Sequence, residues 1–266
     1  MADQIQILRT REALKRVKGG RDGTYPFLEN LTWDVVHYFD DFLGDEIRGS
    51  GTTPGLYEVK TGVDGAIGIL ANQANGVAEI RASDGAGADN EYGGISLPEL
   101  AFRGDRNVVV AFRVSIDALA TVKVELGLTD ATDDAGAVNV KATPSFTATD
   151  FCGWVLDTDD NANWEGLAVN SGSAKTTISP GIAPVAGTFE TMVVAVREDD
   201  STNNEAAVRF LRLNADGNMT YDSGWNAEYI SSTVALVPWM FIQLRNGTID
   251  RNLQVDFIDV RGRRTT

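Results

Sequence analysis

The sequence predicts an all-β fold: an antiparallel two-sheet jelly-roll sandwich with a short helical or extended N-terminal arm. Three observations lead there. From residue 35 onward, apolar side chains recur at every second position in about a dozen short runs, the period of a half-buried strand. Clusters of Gly, Asp and Asn separate the runs. No helical pattern lies between them, so the crossovers that parallel strands need are missing and the strands must pair mostly antiparallel. A chain of 266 residues is long enough for one large sandwich.

The exception to the period of two comes first. Residues 4–18 place Ile5, Leu8, Leu14 and Val17 at helical spacings, with Gly19 and Gly20 as the stop. That stripe is thin, and such a helix is marginal without a partner. Residues 19–34 read as an irregular tether carrying Tyr25, Phe27, Leu28 and Trp33, which points to a segment lying on a surface. We therefore divide the chain into an anchoring arm, residues 1–34, and a jelly-roll domain, residues 35–266. Arg9, Arg11, Lys15, Arg16, Lys18, Tyr25 and Phe27 are the arm's expected partner-binding side chains.

Residues 33–51 open the domain as a strand that stops on Asp40 and Asp41 and breaks into a Gly/Ser/Thr turn. We expect this segment to lie beside residues 253–261. Shorter strands are expected at 57–60, 66–70, 77–82 and 94–97, with the Gly-rich stretches 62–68 and 84–94 as hairpin turns. Residues 108–115 put Val108, Val110, Phe112 and Val114 on one face. Residues 121–128 put Val122, Val124, Leu126 and Leu128 inside and Lys123 and Glu125 outside. These two read as an adjacent pair with Asp117 in the turn. Residues 151–157 with 164–169, and 188–197 with 206–213, read as two further pairs. Runs at 239–245 and 253–261 close the domain.

Composition removes several classes of function. The one cysteine, Cys152, excludes an internal disulfide. The one histidine, His37, excludes a multi-histidine zinc or copper site. The first twenty residues lack a continuous apolar core, so no signal peptide is expected, and no run approaches the roughly 18 apolar residues of a membrane span. The expectation is a soluble protein made in a cytoplasm, with no membrane partner. Net charge is −15, distributed as +4 over residues 1–21, +2 over residues 251–266 and therefore −21 over the rest. An acidic body disfavours nucleic acid as its partner. A basic arm suits an acidic docking surface.

Reaction chemistry is sparse. Asp157, Asp159 and Asn161 stand at positions one, three and five of an oxygen-rich loop, with Asn163 at seven, a spacing that can wrap calcium. Ala162 and Ala168 stand where an EF-hand loop needs its Gly and its bidentate Glu, so a solvated turn is the competing reading. Asp256 and Asp259, three apart on one strand, would face opposite sides, and the paired carboxylates of glycoside hydrolysis are not visible. Cys152 alternates with Trp154 as a buried small hydrophobe would. Among Trp154, Trp164, Trp225 and Trp239, an exposed indole could stack on a sugar, although Trp154 and Trp239 fit a core better. No enzymatic activity and no obligatory cofactor are expected.

The order of these phrases is itself informative. YFDDFLGD (38–45) leads to a Gly-rich turn and an acidic hairpin. VVVAFRVSIDALATVKVELGLTDAT (108–132) follows, then DTDDNANW (157–164), and VDFIDVRG (255–262) closes the chain. Over residues 35–262 this resembles the concanavalin-like (laminin-G-like) jelly rolls that recur in tailed-bacteriophage virion proteins. The resemblance implies a structural protein of the virion: a capsid decoration (cement) protein, or a tail or fibre component. Its partners would be the major capsid protein or other virion proteins, and the protein would be a homo-oligomer. A carbohydrate-binding, lectin-like module that takes a surface glycan is the alternative from another class.

Overall fold

A computed structural model describes residues 35–43, 57–70, 76–85, 89–97, 102–132, 136–199 and 204–263. The expected helix, the tether and their side chains Arg9, Arg11, Lys15, Arg16, Lys18, Tyr25 and Phe27 lie outside the described residues. The strands run β1 (Val35–Asp40), β2 (Glu58–Thr61), β3 (Ala66–Ile69), β4 (Ala78–Ser83), β5 (Tyr92–Ser96), β6 (Phe102–Arg103) and β7 (Val109–Ile116). Then come β8 (Val122–Thr129), β9 (Val138–Val140), β10 (Ser145–Phe146), β11 (Phe151–Asp157), β12 (Asn161–Asn170), β13 (Ser173–Ala174) and β14 (Ile178–Ile182). The last six are β15 (Glu190–Glu198), β16 (Glu205–Leu213), β17 (Met219–Asp222), β18 (Asn226–Ser231), β19 (Ala235–Leu244) and β20 (Arg251–Arg263).

They form two antiparallel sheets packed face to face. The first has the order β17-β16-β15-β7-β20-β4-β3, with β1 also on β20 and β18 also on β16. The second has the order β13-β12-β11-β8-β19-β5-β2, with β14 on β12 and β6 on β19. A two-stranded ribbon, β9 with β10, stands apart from both. The opening strand does lie beside the closing one, in register from Val35 opposite Arg263 to Asp40 opposite Ile258. Where β1 leaves the sheet, Asp40 caps the turn: it accepts hydrogen bonds from the Phe42 amide at 2.8 Å and the Tyr57 hydroxyl at 2.9 Å.

Two expected pairs, β11 with β12 and β15 with β16, are present. The pair expected from residues 108–115 and 121–128 is not. β7 lies between β15 and β20 in the first sheet, and β8 lies between β11 and β19 in the second. The loop joining them crosses from sheet to sheet, and Asp117 ties it to the start of β20 by accepting from the Asn252 amide and side chain, each at 3.0 Å. The physical reason is that both strands present a Val/Leu/Phe face. Those faces bury most apolar area by meeting across the sandwich rather than standing side by side. The Gly-rich stretches 62–68 and 84–94 are likewise crossings, from β2 to β3 and from β4 to β5, not hairpins.

The main core fills the space between the sheets. Val110, Phe112, Val114, Val194 and Phe210 of the first sheet meet Val124, Leu126, Trp154, Met240 and Ile242 of the second, all buried. Trp154 spans the gap: its Nε1 donates to the Val193 carbonyl at 3.0 Å, and its ring meets Phe210 edge-on at 5.6 Å. Trp164 is buried too, donating to Glu190 at 2.6 Å. Two smaller apolar clusters lie on the outer faces. Val109, Ala111, Val193, Ala195 and Leu211 form one on the first sheet, and residues around Trp239, Phe241 and Val138 form the other on the second.

Candidate functional site

The outer face of the second sheet is where structure departs furthest from the alternation pattern. Lys123 and Glu125, expected in solvent, are completely buried. The segment carrying β9 and β10 folds over them, adding Ala137, Val138 and Ala148 to the cluster around Phe151, Val155, Leu167, Trp239 and Phe241. The two charges hold that cover down. Lys123 Nζ lies 2.9 Å from Glu125 Oε1 and donates to the Val138 carbonyl at 2.6 Å. Glu125 accepts from the Ala137 amide at 2.8 Å, the Val138 amide at 3.1 Å and the Trp239 indole at 3.0 Å. Gly136, with φ +82°, brings the backbone close to this carboxylate; a Cβ there would sit 2.4 Å from Glu125 Oε1. Burial pulls the Lys123 pKa down, and the Glu125 carboxylate opposes that pull.

A polar constellation gathers at the end of the sheet where β9 meets β19 and β11. Tyr92 at the start of β5 stacks on Phe241 at 5.9 Å, and Phe241 on Trp239 at 5.4 Å, giving an aromatic row whose outer member is partly exposed. Arg245, just past β19, forms a two-pronged ion pair with Asp157 at the end of β11, with Nε 3.0 Å from Oδ1. Its other arms donate to Gln243 Oε1 at 3.2 Å and to the Asn139 carbonyl at 3.1 Å. Gln243 in turn donates to the Asn90 carbonyl at 3.4 Å. Exposed Asn139 and Val140 form the lip. Asp157 and Gln243 are buried and held by Arg245, whereas Tyr92 and Arg245 are partly exposed and Asn139 is exposed, so the ring and the outer edge of the cluster are what a ligand with apolar C–H faces and hydroxyls can meet here.

The calcium-spaced loop joins this end, between β11 and β12. Asp157 is bound to Arg245. Asp159 is exposed, and its amide donates back to Asp157 at 3.2 Å. Asn161 Oδ1 accepts from Lys141 Nζ at 3.0 Å and from the Asn163 amide at 2.9 Å. Lys141, one residue past β9, is buried against this loop. Its Nζ also donates to the carbonyls of Asn161 and Asn163, both at 3.1 Å, with Asp160 at 3.6 Å and Glu165 at 3.9 Å. Desolvation pulls Lys141 below the ordinary lysine range, while Glu165, Asp160 and Asp157 act to raise it. The oxygens of Asp157 and Asn161 are thus taken by two protein cations, so the residues do not fit a bound calcium ion. Among the described residues, no group of three or more His, Cys, Asp or Glu could hold a metal.

The remaining candidates are not brought together. A β-bulge between Val255 and Phe257 turns Asp256 onto the same outer face of the first sheet as Asp259, correcting the expectation that the two point to opposite sides. Each is bound to an arginine: Asp256 to Arg113 at 2.7 Å and Asp259 to Arg261 at 2.7 Å. Burial would raise Asp259, but the bonds from His37 and Arg261 outweigh it and hold it below the usual carboxylate range, the reverse of what a general acid needs. His37 is exposed on that face, 3.0 Å from Asp259, whereas Cys152 is buried in the main core and burial pushes its thiol well up. Trp225 packs beside the apolar cluster of the first sheet under Arg197 at 4.3 Å, on the far side of the molecule from the Tyr92 end. Trp154, Trp164 and Trp239 are fully buried. Sequence reasoning did not single out Tyr92, Lys141, Gln243 or Arg245. One signal was present: Gln243 and Arg245 alternate on an otherwise apolar strand face. Lys141 has no such mark.

No protein-family model matches the sequence, and no curated protein does. Solved structures do resemble the fold. The protein of unknown function SO2946 from Shewanella oneidensis MR-1 aligns with a TM-score of 0.60 at 14% identity, over 92% of this chain and 97% of that one. Peanut lectin, in complex with a nine-residue peptide, aligns at 0.57 and 13% identity, over 88% and 100%. Lectin II from Ulex europaeus aligns at 0.53 and 9% identity, over 87% and 100%. At these identities the likeness is one of fold alone: the chain is an antiparallel two-sheet jelly roll, the concanavalin-like fold that these lectins also have.

Proposed function

We propose that this protein is a non-catalytic carbohydrate-binding module whose site is the Tyr92–Arg245 end of the second sheet. The observation that carries the reading is the Tyr92 ring standing beside the Gln243–Arg245–Asp157–Asn139 cluster on one rigid sheet end. The lectin fold supports it as a scaffold used for such sites in other proteins. Glycan-array binding of the full chain, repeated with Tyr92→Ala, tests it. The expected outcome is binding by the wild type and a loss of about tenfold or more in the variant, as for a truncated aromatic anchor. Wild-type protein that binds no glycan, or a variant that binds equally well, overturns the reading. Trp225→Ala, on the opposite face, leaves binding unchanged.

A second reading is favoured by one observation. The β1–β20 register places Val35 opposite Arg263, so the start of β1 and the end of β20 lie side by side, and the sequence is basic over residues 1–21 and 251–266 while the rest is acidic. That supports a virion structural protein, foremost a capsid decoration protein and otherwise a tail or fibre component, anchored through residues 1–34 and displaying the jelly roll outward. The readings are compatible: a displayed body could bind a glycan. Deleting residues 1–34 should leave a folded protein that no longer co-sediments with particles; retained co-sedimentation counts against the anchor.

A further inference from the structure

The loop between β11 and β12 has the oxygen spacing of a calcium loop, and a cation does sit in it. We propose that Lys141 is a built-in cation: its ammonium takes the place of a metal ion, pinning the loop to the β9–β10 cover and so shaping the lip of the candidate site without metal. Three observations support this. Lys141 Nζ is fully buried, and its three donor contacts, to Asn161 Oδ1 at 3.0 Å and to the Asn161 and Asn163 carbonyls at 3.1 Å, use all three N–H groups of an ammonium. Asn161 Oδ1 and the Asn163 carbonyl are the fifth and seventh positions of the loop counted from Asp157, the positions that supply a side-chain oxygen and a backbone carbonyl to calcium in a twelve-residue loop. Asp160 at 3.6 Å and Glu165 at 3.9 Å place negative charge around the same point, as a cation site requires. Asp157, the first position, is drawn away by Arg245.

Lys141 follows β9 directly, and Asn139, two residues before it, contributes its carbonyl to Arg245. The ammonium therefore fixes the cover at one end as the Lys123–Glu125 pair fixes it at the other. Lys141 is a positioning residue: it acts on the site through the loop and the lip.

The test needs no glycan, so its failure is separable from failure of the carbohydrate-binding reading. Thermal unfolding and amide hydrogen exchange over residues 136–148 are measured for the full chain in EDTA and in calcium chloride, with Lys141→Ala and Lys141→Met beside it. The wild type should show the same Tm and the same protection in both media. Each variant should melt about 5–10 °C lower in EDTA. Each should then regain Tm with rising calcium along a saturating curve, because the emptied ring of oxygens binds the ion in the native state only. Lys141→Met keeps the aliphatic stem, so it reports on the charge even where Lys141→Ala fails to fold. A wild-type Tm or protection pattern that depends on calcium overturns the proposal, and so does a variant that is indifferent to calcium.

Discussion

Glu125→Ala should destabilise the protein by about 3–5 kcal/mol, the cost of leaving a buried charge without its partner. Lys123 would remain buried on the outer face of the second sheet, but it would lose the carboxylate that lies 2.9 Å from its ammonium. Two backbone amides, of Ala137 and Val138, and the Trp239 indole would lose their common acceptor at the same time. For a chain of this size the loss corresponds to roughly 10 °C in Tm. The lesion is local, so hydrogen exchange should rise first in residues 136–148, where the cover lifts. The Lys123→Met/Glu125→Ala double variant should recover much of the stability, since it removes the buried ion pair whole rather than half of it. Urea unfolding of the four proteins of this cycle measures the coupling. A single-variant cost below about 1 kcal/mol would show that the pair is not what holds the cover.

Arg245→Ala should cost about 3 kcal/mol for a related reason, and it should also disarm the candidate site. The Asp157 side chain is 3% exposed and that of Arg245 is 13%, so their two-pronged pair is shielded from water. Removing the guanidinium strands the carboxylate and frees the Gln243 side chain and the Asn139 carbonyl, which are held together only through Arg245 in the contacts described above. Arg245→Lys restores a charge but not the planar fork, and should recover only part of the stability. The Arg245→Ala/Asp157→Asn pair of changes removes the stranded charge and should be more stable than Arg245→Ala alone. Glycan binding separates the two roles: it should stay lost in the double variant even where stability returns. A double variant that binds as well as the wild type would remove Arg245 from the proposed site.

The two predictions also mark where the sequence stops being legible. Period-two alternation identified the longer strands but not β6, β9, β10, β13, β14, β17 or β18, which are short or lack an alternating apolar face; the opening strand's place beside the closing strand was readable from order alone. Alternation cannot tell which sheet a strand joins. β7 and β8 show it: they follow each other directly, have the same pattern, and stand on opposite sides of the core. Nor does alternation say whether an outward face meets water. Lys123 and Glu125 have the signature of solvated positions, yet the ribbon of β9 and β10 covers them. Asp157, Asp159 and Asn161 have calcium spacing, but the groups that take the Asp157 and Asn161 oxygens stand 88 and 20 residues away, at Arg245 and Lys141.

By itself, then, the sequence determined an all-β sandwich with an acidic body and basic ends, closed by its first and last strands. The reason is local: strand period, turn residues and charge are written in neighbouring positions. Only the tertiary structure decided which strands pair, which charges are buried and which oxygens already hold a cation. Those outcomes depend on contacts between residues far apart in the chain, made because two sheets and a covering ribbon must bury their apolar faces and give hydrogen-bond or charge partners to the polar groups they take from water.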